Sequence, residues 1–144
     1  MSSIAHFVEI RIELLTRRIR VPRVVSIADC GRVVSPKTAR SQIYGGVVWA
    51  LSAALREETE IDTRFGGYLD CDLADYVVAV NRDIGDIDVG LIDKPDPLSN
   101  ETGLKGLGGV VMVGASAAVA NAVFHATDAR IRRLPIRIEH MLQS

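Results

Sequence analysis

Few residues in this 144-residue sequence carry chemistry that announces itself: there are two cysteines, three histidines and one tryptophan, and aromatic residues make up 5% of the chain. Cys30 and Cys71 lack the paired spacing of a zinc site, and His6, His125 and His140 have no mutual ligand spacing, so no metal ligand is expected among the side chains. Charge of one sign is lacking too. Seventeen basic residues against eighteen acidic ones leave a net charge of −1, which argues against bulk nucleic acid or an anionic membrane as partner. The most apolar run, Val110 to Phe124, is shorter than a bilayer span, and MSSIAHFVEIRIELL lacks the order of a signal peptide. A soluble protein of a reducing, cytoplasmic setting is the expectation. No internal repeat, low-complexity segment or linker interrupts the chain, so residues 1–144 are read as one domain.

What is present is patterned. At 48% hydrophobic residues the chain can bury a core. Val8, Ile10, Ile12 and Leu14 alternate with Glu9, Arg11 and Glu13, which is the period of a strand. A second alternating run, Ile19 to Ile27, predicts an antiparallel hairpin with Pro22 at an edge or bulge. Ser35-Pro36 reads as an N-cap followed by proline at the first helical position, and Ile43, Val47, Leu51 and Leu55 extend a helix over about 36–58. Gly45 and Gly46 inside it imply close approach by a neighbouring element or a ligand. An excursion with a brief strand at LADYVVAV, a strand over 87–92, a polar loop and a helix over about 110–127 follow. The order predicts an α/β, two-layer α+β-like fold: a mixed sheet with two main helices packed on it.

The loop Gly103-Leu-Lys-Gly-Leu-Gly-Gly109 stands at a helix start, where backbone N–H groups and the dipole suit an anion. It is neither a Walker loop nor a dinucleotide fingerprint, and a tight packing loop is the plain alternative. The aspartates at 70, 72, 75 and at 83, 86, 88 lack the glycine and distal glutamate of a calcium loop and read as solvated turns. Cys30 reads as a small buried residue at a strand end. Arg130, Arg132, Arg133 and Arg137 read as a solvated cluster near a helix C-terminus, without the aromatics of a nucleic-acid site.

The segments VVSIADCGRVVSPKTARSQIYGGVVWALSAALREE, DLADY and TGLKGLGGVVMVGASAAVANAVFHATDARIRRLPI, in this order, resemble the C-terminal part of the molybdopterin-binding large subunit of the xanthine dehydrogenase and aldehyde oxidase family. The resemblance implies a molybdopterin-cofactor-binding-domain fold within a much longer chain. It also implies an oxidoreductase that hydroxylates aldehydes or N-heterocycles and passes electrons through iron–sulfur clusters to flavin or another acceptor. By the same resemblance Gln42 lies against the pyranopterin, and the loop carrying Gly106, Gly108 and Gly109 approaches the molybdenum centre. The family continues Lys-Gly-x-Gly with a glutamate that acts as general base; here that position is Gly109. Loss of a positioned base removes about 10²–10⁴ in rate, so no catalytic residue is expected in this chain. Ser35 replaces the family's usual asparagine, and Asp128 its helix-ending glycine. The implied state is a segment inactive alone that does not retain molybdopterin by itself. Its implied partners are the remainder of the large subunit and iron–sulfur or flavin subunits. A subunit completing a site in trans, and a cofactor-free module forming a homo-oligomer, are the alternatives.

Overall fold

The computed structural model describes residues 1–142. Strand β1 (Ser3–Ile12) and strand β2 (Ile19–Asp29) form the expected antiparallel hairpin, and β3 (Ile84–Ile92) adds parallel to β2, giving a mixed sheet of order β1-β2-β3. Helix α1 (Pro36–Leu55), a short 3-10 turn (Asn81–Asp83), helix α2 (Gly108–Thr127) and the short α3 (Glu139–Leu142) are the other regular elements among the described residues. Alternation in β1 sends Ile4, Val8, Ile10 and Ile12 toward the helices and leaves Phe7 exposed on the other face. One face of the sheet is therefore covered and the other open.

Pro22 lies on the central strand, where a proline is tolerated only at an irregularity. Glu9 pairs with Arg23 and Arg11 with Arg20, so Val21 and Pro22 together oppose the single residue Ile10. This bulge also explains why Val21 and Val24, three apart, are both buried. Leu14 departs from the expectation: β1 stops at Ile12, and Glu13 to Arg18 close a turn with Arg17 at φ 56, which leaves Leu14 and Leu15 exposed.

Ser35 caps α1 as read, its hydroxyl accepting from the Thr38 N–H at 3.4 Å, with Pro36 at the first position. The helix ends at Leu55 rather than 58, because the Arg56 and Glu57 N–H groups both turn back to the Ser52 carbonyl. On α2 the buried residues Val111, Ala115, Val119 and Val123 recur every four positions and pack against α1 and the sheet. Burial of a valine side chain contributes on the order of 1.5–3 kcal/mol, so this row is a main source of cohesion. A Cβ on Gly46 would come within 2.7 Å of Val111, which identifies the close neighbour as α2; over Gly45 there is open space. The Ser116 hydroxyl donates to the Ala50 carbonyl at 3.1 Å. Contacts at 46 with 111 and at 50 with 116 run in the same sense, so the two helices lie parallel.

α2 begins two residues earlier than the pattern indicated, and its 20 residues are long and apolar enough to cross a bilayer by length and composition. Its buried row belongs to the protein core, while Val113 is 80% exposed on the outer side. The expected strand at LADYVVAV does not form. Asp72 turns the chain by accepting from the Ala74 and Asp75 N–H groups, and the Ala79 N–H donates to the Ser52 hydroxyl instead of to a strand. The basic tail is also docked rather than solvated: the Ile136 N–H donates to the Ala54 carbonyl at 2.7 Å, and Arg137 pairs with Glu58 and Glu60. Arg130 lies 3.5 Å over the Phe124 ring.

Candidate functional site

Parallel packing of α1 and α2 puts their N-terminal ends together. Gln42 stands one turn before Gly46, and Gly108 and Gly109 stand less than one turn before Val111, so Gln42 and the glycine start share one end of the molecule. Gln42 is exposed. Gly106, Gly108 and Gly109 are exposed too, and a Cβ at any of them would meet nothing within 4 Å. The fold does not require glycine at these positions. What the glycines provide is an unobstructed backbone facing outward.

The N-cap of helix α2, Leu107, makes no side-chain cap hydrogen bond, and the helix has no acid in its first turn. Its first N–H groups are therefore unclaimed by side chains and face the positive end of the dipole. Lys105 does not add its charge to them. Its ammonium is turned inward, 3.2 Å from Asp29 and 3.3 Å from Asp96, and its side chain is only 10% exposed. These carboxylates, Asp29 foremost, hold the Lys105 ammonium above its ordinary range. The Gly31 N–H, followed by Lys105, holds Asp29 below the usual carboxylate range, and Ser99, with the Leu98 N–H and Lys105, does the same for Asp96.

The backbone repeats this clamp. The Lys105 N–H donates to the Cys30 carbonyl at 2.9 Å and the Arg32 N–H to the Gly103 carbonyl at 2.9 Å. Gly31 and Gly103 both have φ +71, and a Cβ on Gly31 would come 2.3 Å from the Gly103 carbonyl oxygen. Asn100 closes the loop from within, donating to the Leu104 carbonyl and accepting from its N–H. The Ser2 hydroxyl reaches the Gly106 carbonyl. Sequence reasoning found the loop but not this support, because Asp29, Asp96 and Lys105 are distant in sequence and each reads as an ordinary surface charge.

The other candidates resolve into structure. Cys30 is buried at the end of β2, and burial raises its thiol pKa, which disfavours the reactive thiolate. Asp83 pairs with Arg56 and Asp88 with Arg23. His6 donates or accepts at 2.7 Å with the buried Ser26 hydroxyl, while its Nε2 is turned toward the Val111 backbone without a well-formed hydrogen bond. Burial lowers its pKa. Among the described residues no group of three or more His, Cys, Asp or Glu is placed to hold a metal ion. Asp128 occupies the left-handed position, φ 58, where the α2 cap forms, and its N–H donates to the Phe124 carbonyl.

The chain is thus a mixed sheet covered by a parallel helix pair, with an exposed glycine start at one end. Residues 1–85, more than half of the chain, match the model of the molybdopterin cofactor-binding domain, and the chain belongs to that family. It is 41% identical over 137 residues to the aldehyde oxidoreductase molybdenum-binding subunit PaoC of Escherichia coli (strain K12), covering 95% of this chain and 19% of that protein. A putative xanthine dehydrogenase molybdenum-binding subunit, XdhA, from the same organism is 28% identical over 130 residues, 90% of this chain and 17% of the relative. Among solved structures, quinoline 2-oxidoreductase from Pseudomonas putida 86 superposes with a TM-score of 0.84 at 32% identity, over 94% of this chain and 17% of that one. The chain thus spans about a fifth of the length of the curated relatives it matches. The match to PaoC, at 95% of the chain, necessarily includes Gln42 and the glycine loop.

Proposed function

We propose that this chain is the C-terminal, cofactor-facing segment of a molybdenum-binding large subunit of the xanthine dehydrogenase and aldehyde oxidase type, and that it supplies one wall of the site without a catalytic base. The carrying observation is the uncapped start of α2, with open space over Gly106, Gly108 and Gly109 and with Gln42 at the same end. A pterin phosphate or ring edge fits that wall: backbone N–H groups of the first turn donate, glycines let it approach, and the Gln42 amide offers one more polar contact. Molybdopterin, when bound, supplies the redox centre at which such enzymes hydroxylate aldehydes or N-heterocycles.

Gly109 has no group that accepts a proton, so proton transfer at that position is absent from this chain's contribution. One wall also buries too little of a cofactor to retain it, since ligand sites enclose most of a ligand's surface. Alone, the chain is inactive in this reading. Large apolar side chains left bare, Phe7 at 63%, Trp49 at 58% and Val113 at 80% exposure, favour further protein that covers them, which supports completion of the site by the remainder of the large subunit. The cytoplasm is the proposed compartment, consistent with two free thiols, one of them exposed. Tagging the chain in its native host tests the reading. Co-purification of a molybdenum-containing large-subunit remainder is expected, and a strictly solitary chain counts against it.

A further inference from the structure

A groove lies away from the glycine loop, at the opposite end of the helix pair. Its volume is about 710 Å³, and its floor includes Ile19, Val21, Leu51, Leu55, Ile84 and Ile136. Leu51 and Leu55 are 9 and 13 residues beyond Gln42 on α1, which separates the groove from the glycine end by roughly 14–20 Å at 1.5 Å per residue. Its lining carries six arginines, Arg11, Arg18, Arg20, Arg56, Arg82 and Arg137, against two acids, Asp83 and Glu139. Arg56 faces Asp83, Arg137 faces Glu58 and Glu60, and Arg11 faces Glu9. The guanidinium groups of Arg18, Arg20 and Arg82 have no hydrogen-bond or ion-pair partner among the described residues.

We propose that this groove seats an acidic polypeptide segment with large apolar side chains, contributed by a partner chain. Charge complementarity carries the choice. Unpaired guanidinium groups fit carboxylates in a planar fork, and their excess over the acids of the lining repels a basic segment and gives a neutral one no charge pairing. The aliphatic floor excludes a simple hydrated anion as a sufficient occupant, because such an ion leaves the apolar surface wet. The unpaired cations also come from two separate segments, the β1–β2 turn with the start of β2 for Arg18 and Arg20, and the turn at 81–83 for Arg82. A ligand that meets both must carry carboxylates at separated points with an apolar body between them, which a peptide segment does. The groove does not depend on the cofactor reading, since it shares no residue with the glycine end.

The test is fluorescence anisotropy of the full chain with a labelled amphipathic peptide of glutamate and leucine, roughly 16 residues long and thus able to form a helix of about four turns. Binding is expected, with affinity falling as salt rises. The variant R18E/R20E/R82E is expected to bind at least about tenfold more weakly, and the milder R18Q/R20Q/R82Q several-fold more weakly. R32E/K37E/R132E, which changes the net charge equally at exposed residues outside the groove, is expected to bind as the wild type does. The proposal is overturned by equal weakening in both charge-reversed variants, by undiminished binding to R18E/R20E/R82E, or by equal affinity for an all-glutamate or a lysine–leucine peptide. Displacement by decanoate at concentrations that bind no more weakly than the peptide assigns the groove to a small amphiphile and also overturns it.

Discussion

The two ends of the helix pair treat charge in opposite ways. At the glycine end the nearby cation, Lys105, is enclosed by Asp29 and Asp96, so its charge fixes a loop and is not offered outward; what faces solvent is bare backbone. At the groove end the guanidinium groups of Arg18, Arg20 and Arg82 stand without partners among the described residues, beside an aliphatic floor. An engaged charge builds a site and an unengaged one awaits an occupant. Glycines divide in the same way. Gly85, lining the groove, has no room: a Cβ there would lie 2.2 Å from the Pro22 carbonyl oxygen, whereas Gly106, Gly108 and Gly109 have open space.

The sharpest way to break this comparison is to add one methyl group at each end. Gly85→Ala forces the β2 bulge and β3 apart and is expected to destabilise by at least about 2 kcal/mol in urea unfolding. Gly108→Ala is expected to be neutral or mildly stabilising; equal losses in both would remove the distinction. A second and smaller effect concerns the clamp. Lys105→Met leaves Asp29 and Asp96 without their shared cation, so amide exchange over 103–109 is expected to rise while the α2 core stays protected.

Acid tests the same clamp. Asp29 and Asp96 have folded pKa values held below 3.8, so their contribution is present above that value and is lost as pH falls through the depressed folded range. In Lys105→Met the folded values return toward ordinary ones, and the acid sensitivity of the loop is expected to shrink. Gly109→Glu comes third. Replacing glycine in an open helical first turn is expected to stabilise by about 0.5–1 kcal/mol from propensity, with a few tenths more from an acid near the dipole's positive end. Thermal unfolding measures it, and a lowered midpoint would mean that the space over Gly109 is not free. The smallest effect is that of His6. Its pKa is lowered by burial from 6.5, so the neutral form is favoured in the fold and stability is expected to decline as pH drops below 6.5; His6→Asn should flatten that decline in pH-dependent melts.

Local signals were legible in the sequence. The alternation of Val8, Ile10 and Ile12, the Ser35-Pro36 cap and the spacing of Ile43, Val47 and Leu51 each report a backbone period that the chain adopts. Pro22 was legible as an edge or bulge position, and the bulge forms, though on the central strand of the sheet. LADYVVAV misled because its composition suits a strand while its backbone has other partners, the Ser52 hydroxyl among them. The clamp of Lys105 by Asp29 and Asp96 could not be read, since it joins residues up to 76 apart in sequence. The significance of Gly109 came from family resemblance. The structure adds the physical point that a side chain fits there.

Metal and pterin content decide the central claim, that the chain furnishes a cofactor wall but neither a complete site nor a base. The chain produced without the remainder of the large subunit should carry molybdenum and pterin far below one equivalent and should turn over no aldehyde or N-heterocycle. Stoichiometric molybdenum together with turnover by the solitary chain would contradict the account.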